Sequence, residues 1–214
     1  MFNFKPSKSH INYSYTDFNE VLTDELLQID TVGRDETYAN KTRYPYQPTP
    51  YVILDKILSE KLLENSRYLV DFGCGKGRVA FYFADKYEGI DITGIEDVKA
   101  FYADALNNLN NFKKKNSIHF LNKPAEDYFI PAQMDTFFFF RPFSIEIMQK
   151  VITNIFKSYN KKQRNIKLIF YYLTEEYIMF LSSVPGLNLI KDIDCRDTIA
   201  KDDKRYRILV FEIK

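Results

Sequence analysis

The sequence contains few of the residues that build disulfide frameworks, metal centres or nucleophilic triads. Its 214 residues include two cysteines, two histidines and no tryptophan. Cys74 and Cys195 lie far apart, without the spacing of a metal site or a disulfide scaffold, and therefore favour a reducing, cytoplasmic location. His10 and His119 belong to no Ser-His-Asp or Cys-His pattern, and His119 lies inside a predicted strand, where a structural role is expected.

Long apolar runs and an excess of one charge are also absent. No run approaches the roughly 18 apolar residues that a membrane span needs, and residues 1–15 show no signal-peptide pattern. Thirty basic residues balance 29 acidic ones, which gives a formal net charge of +1. No general attraction to nucleic acid or to an anionic membrane is therefore expected. The basic clusters at residues 113–115 and 161–164 fall where predicted helices end, and cations there complement the helix dipole.

What the sequence does contain is a regular alternation of apolar patterns, with 45% hydrophobic residues, enough for one sizeable core. We predict strands at residues 67–72, 90–95, 117–121, 134–140, 166–173, 187–194 and 205–213. Helices are predicted at residues 78–87, 98–111, 144–157 and 175–181, with another that begins at residue 50. The four consecutive phenylalanines at residues 137–140 are typical of a strand that is buried on both faces.

These patterns predict an α/β fold with a doubly wound, Rossmann-like sheet of seven strands and helices on both faces. The last two strands are separated by a charged turn with no predicted helix, so the final strand is expected to run antiparallel in an otherwise mostly parallel sheet. Residues 49–214 form the predicted domain. Residues 1–48 form an N-terminal arm with one helix at residues 15–29, which either packs on the domain or acts as a lid. Thr49 is predicted to cap the first helix of the domain, with Pro50 at its first position.

The stretch "YLVDFGCGKGR" has the form of a strand, a glycine turn and the start of a helix. Glycines in such a turn allow a ligand to approach the backbone closely and direct helix N–H groups toward it. The pattern departs from the dinucleotide fingerprint G-x-G-x-x-G, because the third glycine comes one residue early. The acid Glu96 ends the next strand, about 25 residues after Asp71, where a carboxylate can accept the hydroxyls of a ribose. The candidate ligand-binding residues here are Asp71, Gly73, Cys74, Gly75, Gly77 and Glu96.

Together with an Ala-Glu-Asp after strand three and the antiparallel end of the sheet, these motifs resemble the class I S-adenosylmethionine-dependent methyltransferases over residues 49–214. The resemblance implies S-adenosylmethionine as cofactor and S-adenosylhomocysteine as product. It further implies that the glycine turn wraps the methionine part, that Asp71 anchors its amino group, and that Glu96 binds the ribose. Ala125 and Glu126 match residues that contact adenine, although Lys123-Pro124 replaces the Gly-Asp that often precedes them.

The arm and the end of strand four contribute the remaining candidates. The segment "YPYQPTPY", which contains Tyr46 and Thr49, resembles an arm that borders the cofactor in uncharacterised bacterial methyltransferases of this class. The family places the acceptor at the end of strand four, where amino-group methyltransferases often have Asn-Pro-Pro-Tyr and this chain has Arg141-Pro142-Phe143. Arg141, Phe143 and Tyr46 are therefore the candidate catalytic residues.

Arg141 raises two alternatives. Arginine carries five donors and no acceptor, so it cannot hold an amine as asparagine does. It either pairs with an acid of its own domain, such as Glu126, Asp127 or Glu175, or it binds a carboxylate or phosphate on the acceptor.

The sequence therefore predicts a methyltransferase that acts on an unidentified small molecule or protein. A nicotinamide-dependent oxidoreductase and a catalytically silent cofactor-binding protein remain the alternatives. No metal is required for transfer of a methyl group from a sulfonium, because holding the nucleophile and the methyl group together supplies much of the catalysis.

Overall fold

A computed structural model describes residues 15–113, 118–199 and 202–214. The strands are β1 (Tyr68–Phe72), β2 (Asp91–Glu96), β3 (Ile118–Asn122), β4 (Thr136–Phe140), β5 (Ile166–Tyr171), β6 (Asn188–Asp194) and β7 (Arg207–Ile213). The α-helices are α1 (Tyr15–Leu27), α2 (Tyr51–Ser59), α3 (Arg78–Lys86), α4 (Lys99–Asn111), α5 (Ile145–Lys161), α6 (Glu175–Ser183) and α7 (Arg196–Ile199), and a 3-10 helix covers Ala125–Asp127.

The seven strands form one sheet in the order β3-β2-β1-β4-β5-β7-β6. Strands β1 to β5 pair in parallel, and β7 runs antiparallel to both β5 and β6. The predicted fold is confirmed. The prediction of a connection without a helix between the last two strands was wrong, because the one-turn helix α7 lies there. This short helix is too brief to show the apolar periodicity by which helices are recognised in sequence.

Strand β4 forms the middle of the sheet because its side chains are apolar on both faces. Phe137 and Phe139 point into the core on one side and Phe138 into the core on the other, and all three are at most 1% exposed. The ring of Phe139 stacks on Phe72 of β1 at 5.2 Å and on Phe170 of β5 at 4.6 Å between centroids. Offset stacking of this kind adds to the free energy gained by burying the rings and fixes β4 between its neighbours.

The N-terminal arm is attached to α3 through a buried arginine. Arg78, 2% exposed, forms ion pairs with Glu20 and Asp24 of α1 and donates a 2.7 Å hydrogen bond to the hydroxyl of Thr31. Its guanidinium also lies 4.3 Å from the ring centroid of Tyr51. A buried charge must be paired, and the acids of α1 meet that need. This helix consequently turns acidic residues inward and leaves apolar side chains exposed, namely Phe18, Leu22 and Leu26.

The start of α2 differs from the prediction. Thr49 was expected to cap the helix with Pro50 as its first residue, but α2 begins at Tyr51 and Pro50 occupies the capping position without a side-chain hydrogen bond. The Thr49 backbone carbonyl instead accepts a hydrogen bond from Arg78, at 3.3 Å. Sequence rules predict the first residue of the helix to within one position. They do not predict that the Thr49 carbonyl accepts a hydrogen bond from Arg78, because that contact is distant in sequence.

None of the helices within the described ranges is both long enough and apolar enough to span a membrane.

Candidate active site

The carboxyl ends of β1, β2 and β4 open into a cavity of about 920 Å³, a volume that includes space open to solvent. Between β1 and β4 the chain reverses the direction in which it adds strands to the sheet, and such a reversal leaves a crevice where ligands bind in doubly wound folds. Residues 42–48 of the arm, together with Thr49, line this crevice. The cavity contains the following predicted site residues: Tyr46, Thr49, Asp71, Gly73, Cys74, Gly75, Glu96, Ala125, Glu126, Arg141 and Phe143.

The glycine turn between β1 and α3 is compressed by two neighbours. Gly73 and Gly75 both have positive φ angles, 73° and 54°, which side chains rarely adopt. A Cβ added at Gly73 would lie 2.4 Å from the Cβ of Pro142, and one added at Gly75 would lie 2.4 Å from Cε2 of Tyr46. The turn therefore contacts both the arm and the exit from β4 directly. Gly77 lines no part of the cavity and lies against the rings of Phe81 and Phe120.

Asp71 lines the cavity and carries one fully buried, unpartnered oxygen. The carboxyl is 2% exposed, and its Oδ2 atom accepts no hydrogen bond from any described residue. Burial, and then the charge of Glu96, raise the pKa of Asp71 to about 8. Buried polar atoms are normally satisfied, so an oxygen left free at a cavity wall is suited to a donor on a ligand.

Glu96, at the end of β2, ties the glycine turn to the next helix. One carboxylate oxygen accepts the N–H of Gly75 at 2.9 Å, and the other accepts the N–H of Val98 at 2.8 Å. Burial is the main cause that raises its pKa to about 7. Each carboxylate oxygen has two lone-pair directions, so Glu96 keeps acceptor capacity for a hydroxyl in the cavity.

Cys74 and the residues predicted to contact adenine complete this half of the cavity. The Cys74 thiol is buried, and its burial is the largest cause that raises its pKa well above the ordinary value for cysteine. Ala125 and Glu126 lie on the 3-10 helix after β3, where the Glu126 carboxylate pairs with Lys150 at 3.6 Å and its backbone carbonyl accepts a hydrogen bond from Asn154 at 2.7 Å. These contacts fix the 3-10 helix against α5.

The arm is fastened over the cavity by contacts that the sequence analysis did not predict. Arg43 pairs with Asp97 next to Glu96, and it forms an isolated antiparallel bridge with Phe143. The N–H of Ser144 donates to the carbonyl of Thr42 at 2.9 Å. Partners this far apart in sequence leave no periodic or motif signal, so these residues are visible only in the folded chain.

Tyr46 and Phe143, two of the three candidate catalytic residues, form hydrogen bonds with other residues of the protein. The Tyr46 hydroxyl donates to the backbone carbonyl of Thr31 at 2.5 Å, and its ring lies 4.9 Å from that of Phe101. Phe143 is 6% exposed, and its carbonyl accepts the hydroxyl of Tyr177. Both residues line the cavity with aromatic surface and direct no free polar group into it.

Arg141, the third candidate, forms no ion pair with any carboxylate in the part of the chain that the structure describes. The expected pairing with Glu126, Asp127 or Glu175 is absent, which corrects that alternative. Its guanidinium lies 4.4 Å from the ring centroid of Tyr44 and 5.6 Å from that of Tyr172. Both rings present their faces to the cation, an arrangement that stabilises the positive charge without neutralising it.

The described residues contain no group of three or more histidine, cysteine, aspartate or glutamate side chains suited to hold a metal ion.

Comparisons with known proteins address the fold. No protein-family model matches the sequence, and no curated protein matches it. Among solved structures, StiE O-MT (residues 961–1257) matches 77% of this chain and 74% of its own, at 14% identity and a TM-score of 0.61. Human methyltransferase 10 domain containing protein matches 93% of this chain and 95% of its own, at 12% identity and a TM-score of 0.58.

A third match is the magnesium protoporphyrin IX methyltransferase of Synechocystis PCC 6803, solved with bound SAM. It matches 76% of this chain and 76% of its own, at 16% identity and a TM-score of 0.54. At identities this low, the structural matches establish a shared architecture. The strand order and the antiparallel β7 agree with that architecture. The chain has the fold of the class I S-adenosylmethionine-dependent methyltransferases.

Proposed function

We propose that this protein is an S-adenosylmethionine-dependent methyltransferase. The observation that carries the proposal is the buried, unpartnered oxygen of Asp71, a residue that lines the cavity together with the glycine turn and Glu96. This donor set suits a ligand that combines an amino-acid group with a ribose, because an acid for an ammonium and an acid for hydroxyls lie on adjacent strands. The bound cofactor would supply an activated methyl group on a sulfonium.

The residues of this chain would then bind the cofactor and orient it. Asp71 accepts the ammonium group, the backbone of Gly73 and Gly75 lies against the methionine part, and Glu96 accepts the ribose hydroxyls. The 3-10 helix with Ala125 and Glu126 borders the adenine. Cys74 and Thr49 contribute buried wall surface next to the turn and the arm. Covering the cavity with residues 42–49 excludes water and brings the acceptor close to the methyl group, which is how such transfers are accelerated.

A small-molecule acceptor is favoured over a macromolecule, with a protein acceptor as the second choice. The cavity lies beneath the arm, and the balanced charge offers no broad basic surface for nucleic acid. Two structures of this fold are named for small acceptors, the magnesium protoporphyrin IX methyltransferase and the mitomycin 7-O-methyltransferase MmcR. The MmcR structure matches 71% of this chain and 50% of its own at a TM-score of 0.55.

Binding of S-adenosylhomocysteine tests the cofactor. At about 100 times its dissociation constant a ligand adds about 2.7 kcal/mol of stability, which is about 5–10 °C in melting temperature for a domain of this size. Glu96→Ala is expected to weaken binding at least tenfold, because hydrogen bonds to a charged group contribute about 1.5–3 kcal/mol. Asp91→Asn is the matched control, since Asp91 is an exposed acid at the other end of the same strand.

The alternative functions give different results in the binding experiment or in a methyl-transfer assay. A shift with NAD and none with S-adenosylhomocysteine would indicate an oxidoreductase and contradict the proposal. Binding of S-adenosylhomocysteine without transfer of a tritiated methyl group to any cell fraction would indicate a silent binding protein.

A further inference from the structure

Among the described residues, the cation at the end of β4 contacts two aromatic rings and no carboxylate. Arg141 has a positive φ of 37°, a conformation that non-glycine residues rarely adopt, and its guanidinium lies over the rings of Tyr44 and Tyr172. A cation–π contact of a guanidinium with a ring does not pair its N–H donors with a hydrogen-bond acceptor such as a carboxylate oxygen. Arg141 thus lies at the cavity wall, and within the described part of the chain its guanidinium forms no hydrogen bond.

Other arginines on the same cavity are neutralised. Arg43 pairs with Asp97, and Arg78 pairs with Glu20 and Asp24. Arg141 forms no ion pair among the described residues.

Acids do lie on the elements next to Arg141. Glu146 is in the first turn of α5 and Glu176 is in the first turn of α6, and neither forms an ion pair with Arg141. Arg141 therefore faces the cavity as a cation without a counter-ion, although carboxylates were available on neighbouring elements.

Asp71 and Glu96 lie in one part of the cavity wall and Arg141 in another, and the cations Arg43, Arg78 and Lys123 also line the cavity. Asp71 and Glu96 end β1 and β2, whereas Arg141 follows β4, on the other side of β1. The acidic half suits a cofactor that carries an ammonium and a sulfonium. A free arginine in the other half would repel that cofactor unless an anion lay between them, because like charges at short range in a covered site repel strongly.

We propose that the methyl acceptor carries an oxyanion, a carboxylate or a phosphate, and that Arg141 binds this group. The inference rests on the proposed methyltransferase function, which places the acceptor in this half of the cavity. Arginine binds such groups through two parallel N–H···O contacts, so it fixes both the position and the orientation of the acceptor. Phe140 and Phe143 line the cavity beside it and offer apolar surface to the rest of a small molecule.

The test uses three small probes that share a phenyl ring: benzoate, phenyl phosphate and the neutral benzamide. Each is titrated into nitrogen-15-labelled protein, alone and saturated with S-adenosylhomocysteine, and the arginine Nε–H resonances are recorded. We expect the Arg141 resonance, identified by its loss in Arg141→Gln, to shift saturably in the millimolar range with at least one anion and not with benzamide. The anion that binds more tightly identifies the head group as a carboxylate or a phosphate.

Variants separate a specific contact from general attraction. Anion binding in the variants is followed through the backbone amide resonances, because neither variant retains the Arg141 Nε–H group. Arg141→Lys keeps the charge but loses the two-pronged donor geometry, so we expect binding of the anion to weaken about tenfold and to vanish in Arg141→Gln. Arg205→Gln is the matched control, because Arg205 lies 4.7 Å from the same Tyr172 ring but is paired with Asp203. This control is expected to bind the anions as the wild type does.

The outcomes distinguish this inference from the proposed function. Failure of S-adenosylhomocysteine to bind contradicts the proposed function, and the titrations without it still report on Arg141. Normal binding of S-adenosylhomocysteine with no response to either anion, or with equal anion binding in Arg141→Gln, overturns the inference alone.

Discussion

At the scale of single residues, the cavity contains a carboxyl group that titrates near neutral pH. The pKa of Asp71 is raised to about 8 by burial and by the charge of Glu96, so at pH 7 the free protein holds this carboxyl mostly protonated. A cationic amino group favours the carboxylate form. Binding of S-adenosylhomocysteine at pH 7 is therefore expected to release a proton from Asp71, and affinity is expected to rise with pH up to about 8.

Titration calorimetry in two buffers of different ionisation enthalpy measures this release directly. Asp71→Asn should bind more weakly and release no proton from this site. An affinity that stays constant between about pH 6 and about pH 8 would contradict the role of Asp71. The stability of the free protein changes with pH in the opposite direction to the affinity. Between about pH 4 and about pH 8 the folded state holds a proton on Asp71 that the unfolded state has lost, so this group lowers the free energy of unfolding as pH rises through that range.

The residues proposed to bind the cofactor could be predicted from the sequence because they belong to local motifs. Asp71, the glycines and Glu96 sit at fixed distances from strands that the apolar pattern reveals. The state of Arg141 was not predictable, since the acids near it in sequence and in the fold are equally plausible partners and only the folded geometry shows that none is used.

At the scale of elements, the glycine turn and the turn between β4 and α5 pack against each other. Gly73→Ala is expected to cost roughly 1–2 kcal/mol for its left-handed backbone and roughly 1–3 kcal/mol more for the overlap with Pro142. Gly89→Ala is the matched control, because Gly89 also has a positive φ, 78°, and an added Cβ would meet nothing within 4 Å. Urea unfolding of both variants measures the difference, and equal losses would argue against a tight contact between the two turns.

The order of the elements could be predicted from the alternation of strand and helix patterns. The contacts between the elements could not be predicted from those patterns. The apolar spacing of α1 predicted a helix, yet its apolar side chains Phe18 and Leu26 are 67% and 75% exposed. The requirement to pair Arg78 determined which face turned inward, and that requirement arises from a residue about fifty positions later in the chain.

At the scale of the whole molecule, the buried network around Arg78 joins the arm to the sheet. Asp24 accepts hydrogen bonds from the N–H and hydroxyl of Thr31 and from the hydroxyl of Tyr51, besides its ion pair with Arg78. Asp24→Ala leaves these buried donors without an acceptor and is expected to lower the free energy of unfolding by about 3 kcal/mol. Thermal or urea unfolding measures the loss.

The matched control for this network is Glu36→Ala, which removes an acid from an exposed pair with Arg34. Exposed pairs contribute little, so this variant should unfold as the wild type does. If Asp24→Ala were equally harmless, the arm would be only loosely attached to the domain.

The glycine turn also contains a chemical reporter. Burial, the largest cause of its raised pKa, keeps the Cys74 thiol protonated at neutral pH, and alkylating reagents attack the thiolate. Iodoacetamide should therefore modify Cys74 only as fast as the turn opens, so the rate of alkylation measures the rate of that opening. Because Cys195, the other cysteine in the chain, is buried too, the protein carries this reporter without an engineered label.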